Sequence, residues 1–138
     1  TGKLHNEVIS VVPEQIFNLH GGDPQRYRGL DTQLWAIYHK DFDGLVTTLH
    51  RLNARLDDGD IVSMERLPLY RDMPLHALRK VNTEVCVNLV ERALETLQSN
   101  NRVNTRPQAK PGRYYSFMPS VLKDICVSNF ESHSQGLV

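Results

Sequence analysis

The sequence predicts an α/β domain, a mixed sheet with helices packed against it. Three observations carry this. The short apolar or alternating runs at 15–20, 45–52 and 61–69 are bounded by Gly, Pro and Asp and read as strands. The stretches beside them repeat apolar residues three or four apart, most extensively from Pro74 to Leu97, and read as helices. The length, 138 residues, is that of one ordinary domain, enough to bury roughly two-thirds of the unfolded surface in a core.

Residues 1–17 form a lead-in, with Val8 to Val12 apolar and β-branched and Pro13 as a stop. Gln15 to His20 then reads as a short buried strand, cut off by the loop signal Gly21-Gly22-Asp23-Pro24. Asp31 is placed to cap the next helix, with Leu34, Ile37 and Tyr38 on one face. Gly44 opens a second strand, Leu45 to Leu52, in which Val46, Thr48, His50 and Leu52 share a face because side chains alternate. A loop from Asn53 to Asp60 leads to a third strand, Ile61 to Leu69, with Pro68 near its exit. Pro74 suits the first turn of the longest helix. Its stripe is Leu78, Val81, Val85, Leu89, Ala93 and Leu97, widened by Cys86, Val90 and Leu94, and it is expected to pack on a sheet face. Gln98 to Arg113 is polar and proline-bearing and reads as a loop, and Tyr114 to Phe117 as a short extended piece. Pro119 starts a final helix, expected to turn Val121, Leu122, Ile125 and Cys126 or Val127 inward and to fray at its end.

Composition excludes several classes of function. Lys plus Arg and Asp plus Glu are 16 each, so no bulk positive field exists to attract nucleic acid or another polyanion. The hydrophobic share, 40%, is a little lean for a globular core. Cys86 and Cys126 are too few for a disulfide scaffold. No apolar run approaches the ~18–20 residues that cross a bilayer, and the start, TGKLHNEVISVV, lacks the long apolar stretch of a secretory signal. The expected setting is the reducing cytoplasm, with no membrane partner. The first residue is Thr rather than Met, and the expectation is a cut, processed or partial chain.

Few residues offer chemistry. Asn18 and His20 are two apart at a strand end beside Gly21-Gly22, so both point to one side at the rim where open α/β sheets bind ligands. An amide donor beside an imidazole can hold a developing oxyanion and move a proton; a structural pair is the alternative. Leu56-Asp57-Asp58-Gly59-Asp60 crowds carboxylates into one loop. A calcium loop counted from Asp57 would need Glu at its twelfth place, which is Pro68. The remaining readings are a solvated turn, or a carboxylate aimed at His20 that fixes its tautomer and favours its charged form. The histidines, at 5, 20, 39, 50, 76 and 133, include no pair at zinc-ligand spacing, so no metal site is expected. Both cysteines read as core thiols. No Gly-rich phosphate loop occurs. Arg26 and Arg28 flank Tyr27 in a Gly-bounded loop, a candidate ligand contact.

With these residues in view, the stretch Asn18-Leu19-His20-Gly21-Gly22-Asp23-Pro24-Gln25-Arg26-Tyr27-Arg28-Gly29 resembles the Asn-x-His…Tyr-Arg-Gly signature of folate-dependent formyltransferases. Trp35-Ala36-Ile37 follows at that family's distance. Val46-Thr47-Thr48-Leu49-His50-Arg51-Leu52 and Leu56-Asp57-Asp58-Gly59-Asp60-Ile61-Val62 are similar to its strand and acidic element. The likeness runs from about residue 3 to residue 97.

The resemblance implies the C-terminal portion of a formyltransferase-type Rossmann-like domain. Residues 1–97 would be a partial catalytic core and 98–138 a C-terminal extension packing on it. The activity implied is transfer of a formyl group from 10-formyltetrahydrofolate to a primary amine, with no metal. The family's catalytic Asn, His and Asp fall on Asn18, His20 and Asp57, with His20 protonated and held so by Asp57. Asn53, Ala54, Arg55 and Leu56 would line the pterin pocket; the residues themselves offer Asp23, Tyr27 and Arg28 as acceptor contacts, Asp23 toward a cationic amine. Gly22-Asp23-Pro24-Gln25 departs from the Ser-Leu-Leu-Pro that many members carry after the His, which leaves the acceptor open. The Gly-rich loop and the ending Gly112-Arg113-Tyr114-Tyr115-Ser116-Phe117 look more like enzymes acting on amino-sugar nucleotides than the initiator-tRNA enzyme. The family's earlier βα units are absent, so the expected partners include a second copy of the chain or a segment that completes the sheet. The alternatives are a 10-formyltetrahydrofolate hydrolase, with water in place of the amine, and a non-catalytic binding or interaction domain of the same fold.

Overall fold

A computed structural model describes residues 4–12, 16–55 and 57–138. In chain order the elements are α1 (Asn6–Val11), β1 (Phe17–His20), β2 (Tyr27–Gly29), α2 (Thr32–Tyr38), β3 (Val46–Arg51), β4 (Ile61–Arg66), α3 (Leu78–Asn100), β5 (Arg113–Tyr115) and α4 (Ser120–Gln135). Short 3-10 turns precede β3 and α3.

The fold is mixed α/β, with antiparallel and parallel pairings divided between two sheets. β3 is the middle strand of an antiparallel sheet ordered β1-β3-β4. Val46 to His50 are all buried, because β3 has a strand on each side and packing on both faces. β-Branched residues suit that position. Opposite β1 the register sets Asn18 against His50 and His20 against Thr48. Opposite β4 it shifts between Leu49 and His50. Such an irregularity bends a strand and re-aims the side chain beside it. β2 and β5 form the second, parallel sheet.

α3 lies on β3 and β4 and buries Leu78, Val81, Val85 and Leu89 there, each worth about 1.5–3 kcal/mol of removal from water. α2 packs against α4 and β2. The core joins these layers, from Ile37 and Leu49 to Met118, Cys126 and Phe130. The 98–138 stretch therefore supplies core side chains, and position 97 lies inside α3.

Several expectations are corrected. The run at 8–12 lies mostly in a short, exposed helix, α1, and the stop at Pro13 lies outside the described residues. In β1 only His20 is buried. Gln15, at the expected start of that strand, is not among the described residues. Asp31 makes no cap bond, because its left-handed backbone (φ 49°) turns the side chain away from the α2 amides; its Oδ2 accepts instead from the Met118 amide, 2.9 Å away. Leu94 is exposed, since α3 runs on past the sheet that covers its first turns. α4 turns Cys126 and Phe130 inward and leaves Val121, Ile125 and Val127 exposed. The helix continues to Gln135, where Ser134 Oγ donates to the Met73 carbonyl at 3.1 Å.

Candidate active site

Asn18, His20, His50 and Asp57 come together along the β1–β3 pairing, beside the 57–60 loop. Antiparallel pairing makes this local: β1 presents Asn18 opposite His50, and Asn18 Nδ2 stands 3.4 Å from His50 Nε2. Asp57 arrives from the loop after β3. Its Oδ1 lies 3.5 Å from His20 Nδ1 and 3.6 Å from His50 Nε2, and its Oδ2 accepts from the Gly29 amide at 2.9 Å. His20 and Asp57 are each 5% exposed and His50 1%.

The local chain is shaped to permit this. Asp57 has φ 51°, a left-handed conformation that a non-glycine residue holds only when its surroundings demand it. Gly29, at φ 97°, faces Tyr115 so closely that a Cβ would stand 2.2 Å from that residue's carbonyl oxygen. The loop after His20 is pinned by hydroxyls: Thr48 Oγ1 donates to the Gly22 carbonyl at 2.7 Å and Thr32 Oγ1 to that of Gly21.

His20 Nε2 lies 2.7 Å from the Tyr27 carbonyl oxygen and so carries a proton to donate there. Burial pushes the imidazole below its ordinary value; Asp57 and the Tyr27 carbonyl pull the other way and are outweighed. Burial thus biases His20 toward its neutral form, while Asp57 acts in the direction the resemblance implies. For Asp57, burial pushes upward, but the His50 hydrogen bond, the His20 charge and the Gly29 amide together hold the carboxyl below its usual range. A proton arriving at Nδ1 would meet Asp57 Oδ1 directly.

These side chains border a cavity of about 940 Å³. Asn18, His20 and Asp57 line it, as do Asn53, Ala54 and Arg55; Leu56 lies outside the described residues. Asp23, Tyr27 and Arg28 are not on its wall. Asp23 Oδ1 accepts from the Gln25 amide at 2.9 Å and shapes the turn. Tyr27 is buried, its hydroxyl donating to Asp41 Oδ2 at 2.8 Å, and burial followed by Asp41 raises its pKa. Arg28 lies half-buried in β2, opposite Tyr114.

The sequence reading missed His50 as a site residue. The signal was present, since His50 shares a strand face with Thr48, but only pairing with β1 brings it to Asn18. Among the described residues no group of His, Cys, Asp and Glu is arranged to hold a metal ion.

No protein-family model matches the chain. Its fold is similar to that of the formyltransferase PseJ from Anoxybacillus kamchatkensis, solved with UDP-4,6-dideoxy-4-formamido-L-AltNAc and tetrahydrofolate, at 21% identity and TM-score 0.70 over 83% of this chain and 59% of that one. It is similar to HypX from Aquifex aeolicus at 23% identity and TM-score 0.71, over 98% of this chain and 26% of HypX. The N-formyltransferase from Helicobacter canadensis, solved with folinic acid and dTDP-3-aminofucose, aligns at 20% identity and TM-score 0.61, over 75% of this chain and 38% of that one. The chain thus spans less than two-thirds of the length of each protein, and what it shares with them is the fold.

Proposed function

We propose that this chain carries the reacting residues of a formyl transfer from 10-formyltetrahydrofolate to a primary amine, with an amino-sugar nucleotide as the favoured acceptor. The observation that carries the reading is the meeting of Asn18, His20 and Asp57 on one cavity wall, in a fold shared with proteins solved with folates and sugar nucleotides.

In this reading the amine nitrogen attacks the formyl carbon and the carbonyl oxygen becomes an oxyanion. Asn18 Nδ2 and His20 Nε2–H are the donors for it, the latter exchanging the Tyr27 carbonyl for substrate. One such donor is typically worth ~3–4 kcal/mol of barrier. The amine gives up a proton and N10 of the folate gains one as the C–N10 bond breaks, leaving a formamide and tetrahydrofolate. Asp57 keeps the imidazole oriented and favours its passing charge. Asn53, Ala54 and Arg55 are assigned to the pterin side of the cavity. Asp23, Tyr27 and Arg28 would take part only with an acceptor that extends beyond this cavity.

A further strand is proposed on the free edge of β1, from a second copy or another segment of chain. β1 pairs with β3 alone among the described residues, and Leu19 is exposed, an edge that proteins normally cover. A reducing cytoplasm remains the proposed setting.

The test is product analysis with the native protein, 10-formyltetrahydrofolate and a panel of amino-sugar nucleotides. A formamide formed in step with tetrahydrofolate supports transfer. Formate released without any amine assigns hydrolysis, and folate binding without turnover assigns a binding domain.

A further inference from the structure

Two adjacent residues of the 101–112 segment join the loops that form the site. Gln108 Nε2 donates to the carbonyls of Asp57, at 2.8 Å, and Gly59, at 2.9 Å. One residue on, the Ala109 amide donates to Gln25 Oε1 at 2.8 Å. The first contact grips the loop that carries Asp57. The second grips the loop that runs from His20 to Gly29. The segment is itself anchored on both sides. Upstream, Arg106 and Ile61 exchange backbone bonds of 2.9 and 2.8 Å; downstream, the Gly112 amide donates to the Pro24 carbonyl at 3.0 Å.

The orientation of the Gln108 amide is set by this task. Its nitrogen meets two carbonyls, while its Oε1 is buried with no hydrogen-bond partner. The reverse orientation would crowd three acceptors together. An unpaired buried acceptor is costly, so the two donated bonds decide the geometry. What they hold is a residue in a left-handed backbone conformation, Asp57 at φ 51°, which requires outside support.

We propose that Gln108 is the positioning residue of the site, fixing the 57–59 loop so that the Asp57 carboxylate reaches His20 and the Gly29 amide at once. Its catalytic meaning rests on the formyl-transfer reading; the geometry it sets can be measured without substrate.

The experiment is amide hydrogen exchange on the full chain, comparing wild type with Gln108→Ala and Gln108→Glu. The first removes the donors; the second keeps the shape and replaces the amide nitrogen by oxygen. The Gly29 amide, which donates to Asp57 Oδ2, is expected to exchange about tenfold faster in both variants, the loss of roughly one well-made hydrogen bond. The Leu30 and Ile61 amides, bonded to Tyr115 and Arg106, keep wild-type rates. The Asp57 carboxyl, held below its usual value of 3.8 in the wild type, titrates closer to it in both variants. Unchanged Gly29 exchange in both overturns the proposal. So does equal acceleration of all three amides, or loss of the fold in both variants, since either would make Gln108 a general structural residue. Because neither folate nor amine is present, none of these outcomes depends on whether formyl transfer occurs.

Discussion

His20 and Asp57, 37 positions apart in the chain, face each other across 3.5 Å between Nδ1 and Oδ1, both almost wholly buried. The pair is anchored from outside itself. The other imidazole nitrogen is on the Tyr27 carbonyl and the other carboxylate oxygen on the Gly29 amide. The two residues are therefore fixed relative to each other by contacts from β2.

Replacement of Asn18 by Ala removes one of the two proposed oxyanion donors. The rate of formyl transfer is expected to fall ~100–1000-fold, while the thermal midpoint stays within a few degrees because Asn18 is only part-buried. Steady-state rates alongside a melting curve check this.

Stability should fall in acid, and the sign follows from both members of the pair. The folded pKa of His20 lies below the usual 6.5, so between the two values the unfolded chain binds more protons. Its contribution is complete above 6.5 and is lost as pH drops through the folded value. Asp57 is depressed below 3.8, and its contribution is lost below that pH in turn. Denaturant midpoints measured from pH 8 to 4 should decline from about pH 6.5 downward, and His20→Gln should flatten that first decline.

Thr48 Oγ1 donates to the Gly22 carbonyl at 2.7 Å from a fully buried position. Thr48→Val keeps the shape and removes the donor, leaving a carbonyl unpaired next to His20. A loss of about 1–3 kcal/mol is expected, read by urea unfolding.

Gly59 leaves no room for a side chain, because a Cβ would stand 1.6 Å from the Arg51 carbonyl oxygen. Gly59→Ala must displace the loop that carries Asp57. It is expected to cost about 1–3 kcal/mol and to lower transfer as well, whereas Asn18→Ala lowers transfer with stability nearly unchanged.

The C-terminal helix separates two kinds of apolar residue. Phe130→Ala opens a cavity at a fully buried site and should cost about 3–5 kcal/mol. Val121→Ala, on the exposed face of the same helix, should stay within about 0.5 kcal/mol. Equal effects would contradict the packing of α4 into the shared core.

What was legible in the sequence was whatever repeats locally. The Leu78, Val81, Val85 and Leu89 stripe identified the buried face of α3, because helical period and burial coincide there. It failed at Leu94 because periodicity cannot say where the covering sheet ends. In α4 apolar residues lie on more than one face, and the bulk of Phe130, with Cys126 a turn before it, decides which is buried. Asp31 had the right residue type for a cap and the wrong backbone conformation. Asn18 and His20 were visible as a pair of strand neighbours. A carboxylate of the 57–60 loop aimed at His20 was one of two open readings of the residues, and only the resemblance singled out Asp57, because the meeting depends on how that loop folds back. The roles of His50 and Gln108 stayed hidden because their contacts are distant in sequence.

The measurement that bears most directly on this account is the single-turnover rate of formyl transfer from 10-formyltetrahydrofolate by the native protein and its His20→Ala variant, with an amino-sugar nucleotide as acceptor. The account expects tetrahydrofolate and the formamide to appear together in the wild type and the variant rate to fall ~100-fold or more, with the fold intact by circular dichroism. A variant that transfers at the wild-type rate, or a wild type that releases neither product, would contradict it.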